Sequence, residues 1–275
     1  MLIDTHAHVN FSAYKNDSDK IISRCLENNI WIINVGSQYS TSKRAVEIAK
    51  NYPKGVYAAV GLHPIHLSNG IFKTKIDKEE IEFETREEEF DYEKYKELAQ
   101  SEKVVAIGEI GFDYWYKPKT KIKLDEFKNR QRETFLKQLK LSDDLNLPVM
   151  FHCRVAHADL INILESQNKK PRGVIHCFSG NWEEAQKYLA MGLSLGFNGI
   201  IFKLNVDEVI AKTPLERILI ETDCPYLIPP PMKGRNDPLY VKYVAERIAK
   251  IKNLSYEEIS DITAENAVKL FNLHG

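Results

Sequence analysis

The 275 residues, 43% of them hydrophobic, suffice for one large single-core domain or two small ones, and they exclude a disulfide-stapled miniprotein and a chain disordered throughout. With 38 basic and 39 acidic side chains the net charge is −1, which excludes a polycation that holds nucleic acid by bulk charge. Any anionic partner is left to a local patch. Cys25, Cys153, Cys177 and Cys224 stand singly with no C-x-x-C, against a disulfide framework or a zinc ribbon and in keeping with a reducing compartment. No apolar leader opens the sequence, and no run of about 18 apolar residues follows, so the expectation is a soluble, cytoplasmic protein without a membrane partner.

Short apolar runs predict strands at Leu2–Asp4, Trp31–Val35, Val56–Val60, Val104–Ile107, Val149–Phe151, Val174–Ile175, Leu193–Phe197 and Ile218–Ile220. Pro53 and Gly55, Pro148 and Pro214 punctuate the starts of three of them. Between the runs lie stretches of helical spacing, such as Phe127 to Leu145, where Phe135, Leu136 and Leu139 recur at three and four residues. Eight strands apolar on both faces, alternating with helices, predict a single, somewhat irregular (β/α)8 barrel of the TIM type, with a doubly wound open sheet as the alternative. No linker, repeat or low-complexity tract divides the chain, so residues 1–275 read as one domain. Two segments exceed ideal barrel loops: 66–92, rich in glutamate, and 114–123, where Lys117, Lys119, Lys121 and Lys123 alternate. Both follow strands and belong on the face where barrels carry their active sites. They read as solvated surface, the lysines also offering a contact to phosphate.

His6 and His8 end the first strand two residues apart, so both imidazoles face one side. Alone, the pair is a weak signal. Glu109, His152, His176 and Asp223 fall at the C-terminal ends of further predicted strands, and in a barrel those ends share one rim. Four imidazoles and two carboxylates exceed the three protein ligands of a catalytic zinc and suit two divalent ions, with Glu109 as a bridge across about 3.5–4 Å. Nitrogen and oxygen ligands without thiolate admit zinc, manganese, magnesium or iron. Cys153, Cys177 and Cys224 each follow a proposed ligand; strand alternation turns them toward the helical layer, with Cys224 the least regular because Pro225 follows.

These residues lie in Ile3-Asp-Thr-His-Ala-His, Val60-Gly-Leu-His-Pro, Ala106-Ile-Gly-Glu-Ile-Gly-Phe-Asp-Tyr, His152-Cys-Arg-Val-Ala, His176-Cys-Phe-Ser-Gly, Glu221-Thr-Asp-Cys-Pro-Tyr-Leu and Gly234-Arg-Asn, with Thr263-Ala-Glu-Asn-Ala near the end. In this order the motifs resemble the TatD family of metal-dependent deoxyribonucleases, among the amidohydrolase-like barrels. The resemblance implies that His6, His8, Glu109, His152, His176 and Asp223 hold the metals, that the activity is phosphodiester hydrolysis in DNA, and that His63, Arg154 and Arg235 stand near the substrate phosphate. A guanidinium suits that last role through its paired donors. Glu221 reads as a support for other rim side chains, and Asp113 stays open between support and site. The two long segments depart from compact relatives, and Trp115-Tyr116 stands where an arginine is often close by.

The chemistry expected is a hydrolysis assisted by two divalent ions, Mg, Mn or Zn, with Asp223 and Glu109 as the catalytic carboxylates and Asp223 taking or orienting the proton of water. Trp115, Tyr116 and Tyr226 offer faces on which a base of a single strand stacks. Net charge near zero favours modest, salt-sensitive binding and a monomer that trims single-stranded or 3′ ends of DNA, with no obligate protein partner. The rival reading is an ester or amide hydrolase on the same barrel, such as a D-aminoacyl-tRNA deacylase; Glu109, where many amidohydrolases carry a carbamylated lysine, favours the nuclease. A metal-stabilised scaffold without turnover is the remote alternative, weakened by the completeness of the ligand set.

Overall fold

The computed structural model describes residues 1–67, 70–76, 79–85, 87–118 and 120–274, the side chains of 70–76 and 79–85 apart. In chain order the strands are β1 (Leu2–Ala7), β2 (Ile30–Val35), β3 (Val56–Val60), β4 (Gly70–Ile76), β5 (Glu79–Thr85), β6 (Val104–Asp113), β7 (Val149–Arg154), β8 (Gly173–Ile175), β9 (Ser194–Phe197) and β10 (Ile218–Ile220). The helices are α1 (Ser18–Glu27), α2 (Tyr39–Lys50), α3 (Tyr92–Ala99), α4 (Lys121–Leu145), α5 (His157–Glu165), α6 (Trp182–Ala190), α7 (Asp207–Lys212), α8 (Val241–Lys252) and α9 (Tyr256–Phe271). Eight strands form one parallel sheet in the order β1-β2-β3-β6-β7-β8-β9-β10, and β4 and β5 pair antiparallel as a separate hairpin. The expected barrel with alternating helices is present, and the open sheet is not.

Alternation along the strands divides the core. Leu2, Ile32, Val56, Val149 and Ile218 pack into the large cluster beneath the helices. Their neighbours Ile3, Ile33, Tyr57, Met150, Val174 and Leu219 form a second cluster with Ala264, Ala267 and Phe271 of α9. This second cluster is the barrel interior, and α9 closes its lower end, where Tyr57 donates to the carbonyl of His274 at 2.5 Å. With apolar layers below, polar groups can gather only at the upper rim.

The barrel closes between β1 and β10 by side chains and two rim bonds. Thr5 Oγ1 donates to the Ile220 carbonyl at 3.0 Å, and Thr222 donates its N–H and hydroxyl to the two oxygens of Asp4 at 2.9 and 2.5 Å. Above them Asp223 N–H reaches the His6 carbonyl at 2.8 Å and His8 N–H the Cys224 carbonyl at 2.9 Å. The seam is therefore made at the residues expected to be ligands.

β6 runs ten residues, where its apolar pattern predicts four. Gly108 and Gly111 interrupt the pattern, and the register against β7 shifts between Ile107 and Ile110, where Glu109 is carried. At Gly111 a side chain has no room: φ is +149°, and a Cβ there would lie 2.0 Å from the His152 carbonyl oxygen. α4 begins at Lys121, six residues before the predicted start, so Lys121 and Lys123 open a helix rather than continue a loop. Lys119 lies outside the described residues, as do residues 68, 69, 77, 78 and 86 of the acidic segment, which otherwise holds the hairpin. Among the described residues no helix is long and apolar enough to cross a membrane.

Gly111→Ala forces both an unfavourable φ and a clash with β7. The expected loss is about 3 kcal/mol or more in unfolding free energy, measured by denaturant titration. An unchanged midpoint would show that the strand can slide to make room.

Candidate metal centre

The structure brings five strand ends to one hub, the carboxylate of Glu109. Its Oε1 lies 2.6 Å from His152 Nδ1, 3.1 Å from His176 Nε2 and 3.6 Å from His63 Nε2, and its Oε2 lies 3.5 Å from His6 Nε2. Asp223, turned inward at φ +56°, sets Oδ1 3.2 Å from His8 Nε2 and 3.9 Å from His6 Nε2. The rings of His6 and His176 stack at 3.7 Å. His6, His8, Glu109 and His176 are buried. All six expected ligands thus meet at the mouth.

Three of the four imidazoles have their outer nitrogen occupied, which turns the inner nitrogen toward the hub. His8 Nδ1 donates to the Val35 carbonyl at 2.8 Å, His176 Nδ1 to Glu221 Oε1 at 2.9 Å, and His152 Nε2 to Asp113 Oδ2 at 3.2 Å. Such outer partners fix the tautomer that a metal needs. Glu221 Oε1 also accepts from the Cys177 N–H and Asn198 Nδ2, which holds it in place. Gly196 makes room for it, since a Cβ there would stand 2.6 Å from Glu221 Oε2. Asp113 is the residue that sequence reading left open; its signal was its place four residues beyond Glu109 on the same strand.

His6 tests whether cations fit. Both of its ring nitrogens are buried without a hydrogen-bond partner, a costly state for polar atoms in a dry rim. His6, His8 and Asp223 converge on one point, and His6, Glu109 and His176 on another, each set within 4.8 Å. Two divalent cations sharing His6's side of the rim match these donors in number and kind.

The charges agree. Burial opposes ionisation of Glu109, yet the imidazoles of His63, His176 and His152 hold its carboxyl well below the usual range. Asp223, also opposed by burial, is held down by His8 and His176, and Asp113 by His152. His152 overcomes its burial through Glu109 and Asp113 and is raised to about 9; His176 is raised through Glu221 and Glu109. His63 goes the other way, lowered to about 3 by burial and by its neighbour His152. Its Nδ1 accepts the Ile65 N–H at 3.0 Å, so the neutral ring carries its proton on Nε2, facing Glu109.

The other expected contacts divide. Arg154, two residues beyond His152 on β7, lays its guanidinium over Trp115 at 4.5 Å and Tyr116 at 5.8 Å. Arg235 does not join the cluster: it pairs with Asp17, donates to the Ala13 carbonyl and lies 4.2 Å over Tyr14, contacts that bind the loop after β10 to the segment before α1. Cys153 turns to the helical layer as expected, 3.3 Å from His157 and 3.8 Å from Tyr188, and Cys224 is buried. Cys177 departs, because β8 ends at Ile175 and φ +47° swings its thiol toward Asn198, beside His176 and Asp223.

Residues 3–272 match the family described as TatD related DNase. An uncharacterized metal-dependent hydrolase of Bacillus subtilis (strain 168), YabD, is 40% identical over the whole of both chains. The 3'-5' ssDNA/RNA exonuclease TatD of Pantoea vagans (strain C9-1) is 30% identical across 99% of this chain and 100% of its own. Among solved structures, the TatD homolog YJJV of Escherichia coli K12 superposes with a TM-score of 0.83 at 29% identity, covering 99% of this chain and 98% of its own.

Two outcomes follow from the outer partners. Asp113→Asn should weaken metal binding by roughly 10- to 100-fold while the fold persists, read by metal titration beside thermal unfolding. Because His152 without metal holds its proton up to about pH 9, uptake must displace that proton: affinity should rise about tenfold per pH unit for each imidazolium neutralised and level off above that pH. Affinity flat between pH 6 and 9, or metal uptake that releases no protons, would contradict this.

Proposed function

The chain belongs to the TatD related DNase family and is a metal-dependent hydrolase, and we propose that it cleaves phosphodiester bonds of DNA from single-stranded 3′ ends, using two divalent ions, Mg, Mn or Zn, held by His6, His8, Glu109, His152, His176 and Asp223. The observation that carries this reading is the Glu109 carboxylate at hydrogen-bonding or ion-pair distance from four imidazoles. The direction and substrate follow the Pantoea vagans relative, whose name is that of an exonuclease on single strands. The ligands come from β1, β6, β7, β8 and β10, so residues 1–275 act as one catalytic unit.

Divalent cations bound there supply Lewis acidity, neutralising phosphate charge and lowering the pKa of a water molecule. The remaining work falls to the chain's own groups. Asp223 is ionised at neutral pH and sits at the mouth, so it accepts the proton that the attacking water loses. His63 stays neutral and presents Nε2–H, a donor for a non-bridging phosphate oxygen or the departing oxygen. Arg154 adds a fixed positive charge on the same side of the rim. Glu109 keeps the imidazoles oriented, and His6, common to both donor sets, ties the two sets together. Arg235, paired with Asp17, ties the loop after β10 to the segment before α1.

The test is digestion of 5′-labelled single-stranded DNA by the metal-loaded enzyme. A ladder that shortens from the 3′ end, lost on chelation and slowed by about 10²- to 10⁴-fold in Asp223→Asn with metal content retained, is the expected result. Intact DNA beside hydrolysis of a D-aminoacyl ester would transfer the same site to the rival chemistry.

A further inference from the structure

We propose that Trp115 and Arg154 form a subsite for one unpaired nucleobase beside the scissile phosphodiester, so that the enzyme selects single strands by stacking rather than by reading base edges; this rests on the phosphodiesterase reading above. Trp115 is 57% exposed although the Arg154 guanidinium covers one face of its ring at 4.5 Å, so the other face is open to solvent. An open indole face backed by a cation is a platform for a flat, electron-rich ring.

The platform is tied to the metal centre. Asp113 accepts the Trp115 backbone N–H on Oδ1 at 2.9 Å and holds His152 on Oδ2 at 3.2 Å, so one carboxylate links an imidazole of the hub to the main chain that carries the indole. Tyr114 N–H donates to the Arg154 carbonyl at 2.9 Å, which fixes the two strand ends against each other. Arg154 is two residues from His152 on one strand, and a phosphate between them places its own sugar's base within reach of the indole.

The surroundings suit bases and not a duplex backbone. Among the described residues, the exposed large apolar side chains other than Met1 are Trp115, Ile122, Val155 and Leu204, at 57, 74, 57 and 44% exposure. Trp115 and Val155 stand just beyond the C-terminal ends of β6 and β7, Ile122 lies in the first turn of α4, and Leu204 follows the short 3-10 turn after β9. Val155 is also held at φ +59°, an unfavourable conformation for a β-branched residue and one that recurs at ligand sites. An exposed indole with a guanidinium behind it, and the exposed Val155 one residue beyond that guanidinium's own Arg154, match the face of an unpaired base; a duplex offers mostly phosphate on its outside.

The experiment compares oligothymidylate with an abasic oligomer of the same length and charge, each with phosphorothioate linkages that resist cleavage, for binding to the metal-loaded protein. One stacked base contributes roughly 5- to 100-fold, so the wild type should prefer the base-bearing strand by about tenfold. Trp115→Phe should keep most of that ratio, and Trp115→Ala and Trp115→Leu should bring it near one. With cleavable strands the same collapse should appear in KM rather than kcat. A wild-type ratio near one, or one unchanged in both non-aromatic variants, overturns the subsite. Base preference without cleavage of either strand supports the subsite and overturns the phosphodiesterase reading instead.

Discussion

Everything at the mouth of this barrel is arranged around one buried carboxylate. Glu109 lies 5% exposed among four imidazoles, and burying that charge is tolerable only because the rings surround it. Their positive potential keeps it ionised, and its own charge in turn raises His152 and His176. Without cations His152 and His176 hold protons beside this carboxylate; in the proposed metal-bound state the same nitrogens would be ligands. Protons and metals compete for one set of atoms, so occupancy of the site is tied to pH through the residues that build it.

The tier behind the hub explains how flexible side chains become a rigid donor set. Asp113, Glu221 and the Val35 carbonyl each take the outer N–H of one ring. Glu221 is itself fixed by a backbone N–H and by Asn198, and Asp113 by the Trp115 N–H and the strand that carries it. His6 alone lacks such a partner, and its ring is held by stacking on His176. Orientation by carboxylates at several points is stronger than by any one, since each removes a rotation that would otherwise be lost on binding.

Much of this was legible from residue order. His6, His8, His152, His176 and Asp223 each follow an apolar run, and in a parallel barrel a run's end is an address on the rim. Glu109 was legible as a rim residue, but its strand was read short: the glycines that let β6 and β7 approach closely also break the apolar pattern that marks a strand. Asp113 stayed open for the same reason, lying in the part of β6 beyond the apparent end. The start of α4 was missed because its first turns are lysine-rich and present no apolar stripe. Arg235 shows the limit of motif reasoning. Its neighbourhood matches the family, but which acid a guanidinium meets is decided by a loop far away in sequence and adjacent in space, that of Asp17.

The seam between β1 and β10 carries a further consequence. A barrel's first and last strands meet only when every strand between them is in place, and here the meeting is made by Asp4, Thr5, His6 and His8 against Ile220, Thr222, Asp223 and Cys224. Two of those contacts are backbone bonds of the ligands themselves. The His6–His8–Asp223 donor set therefore cannot exist in a partly wound sheet, whereas Glu109, His152 and His176 sit on adjacent strands of the interior of the sheet and can assemble earlier. Asp4, fully buried and with its carboxyl pushed well up by that burial, is met by Thr222 from across the seam and by the His6 N–H beside it. Closure thus couples contacts between residues 215 to 218 apart in sequence to the completion of the site. Cations held as proposed by His6, His8 and Asp223 would stabilise the closed ring by mass action, since that donor set exists in the wound state and not in the open one.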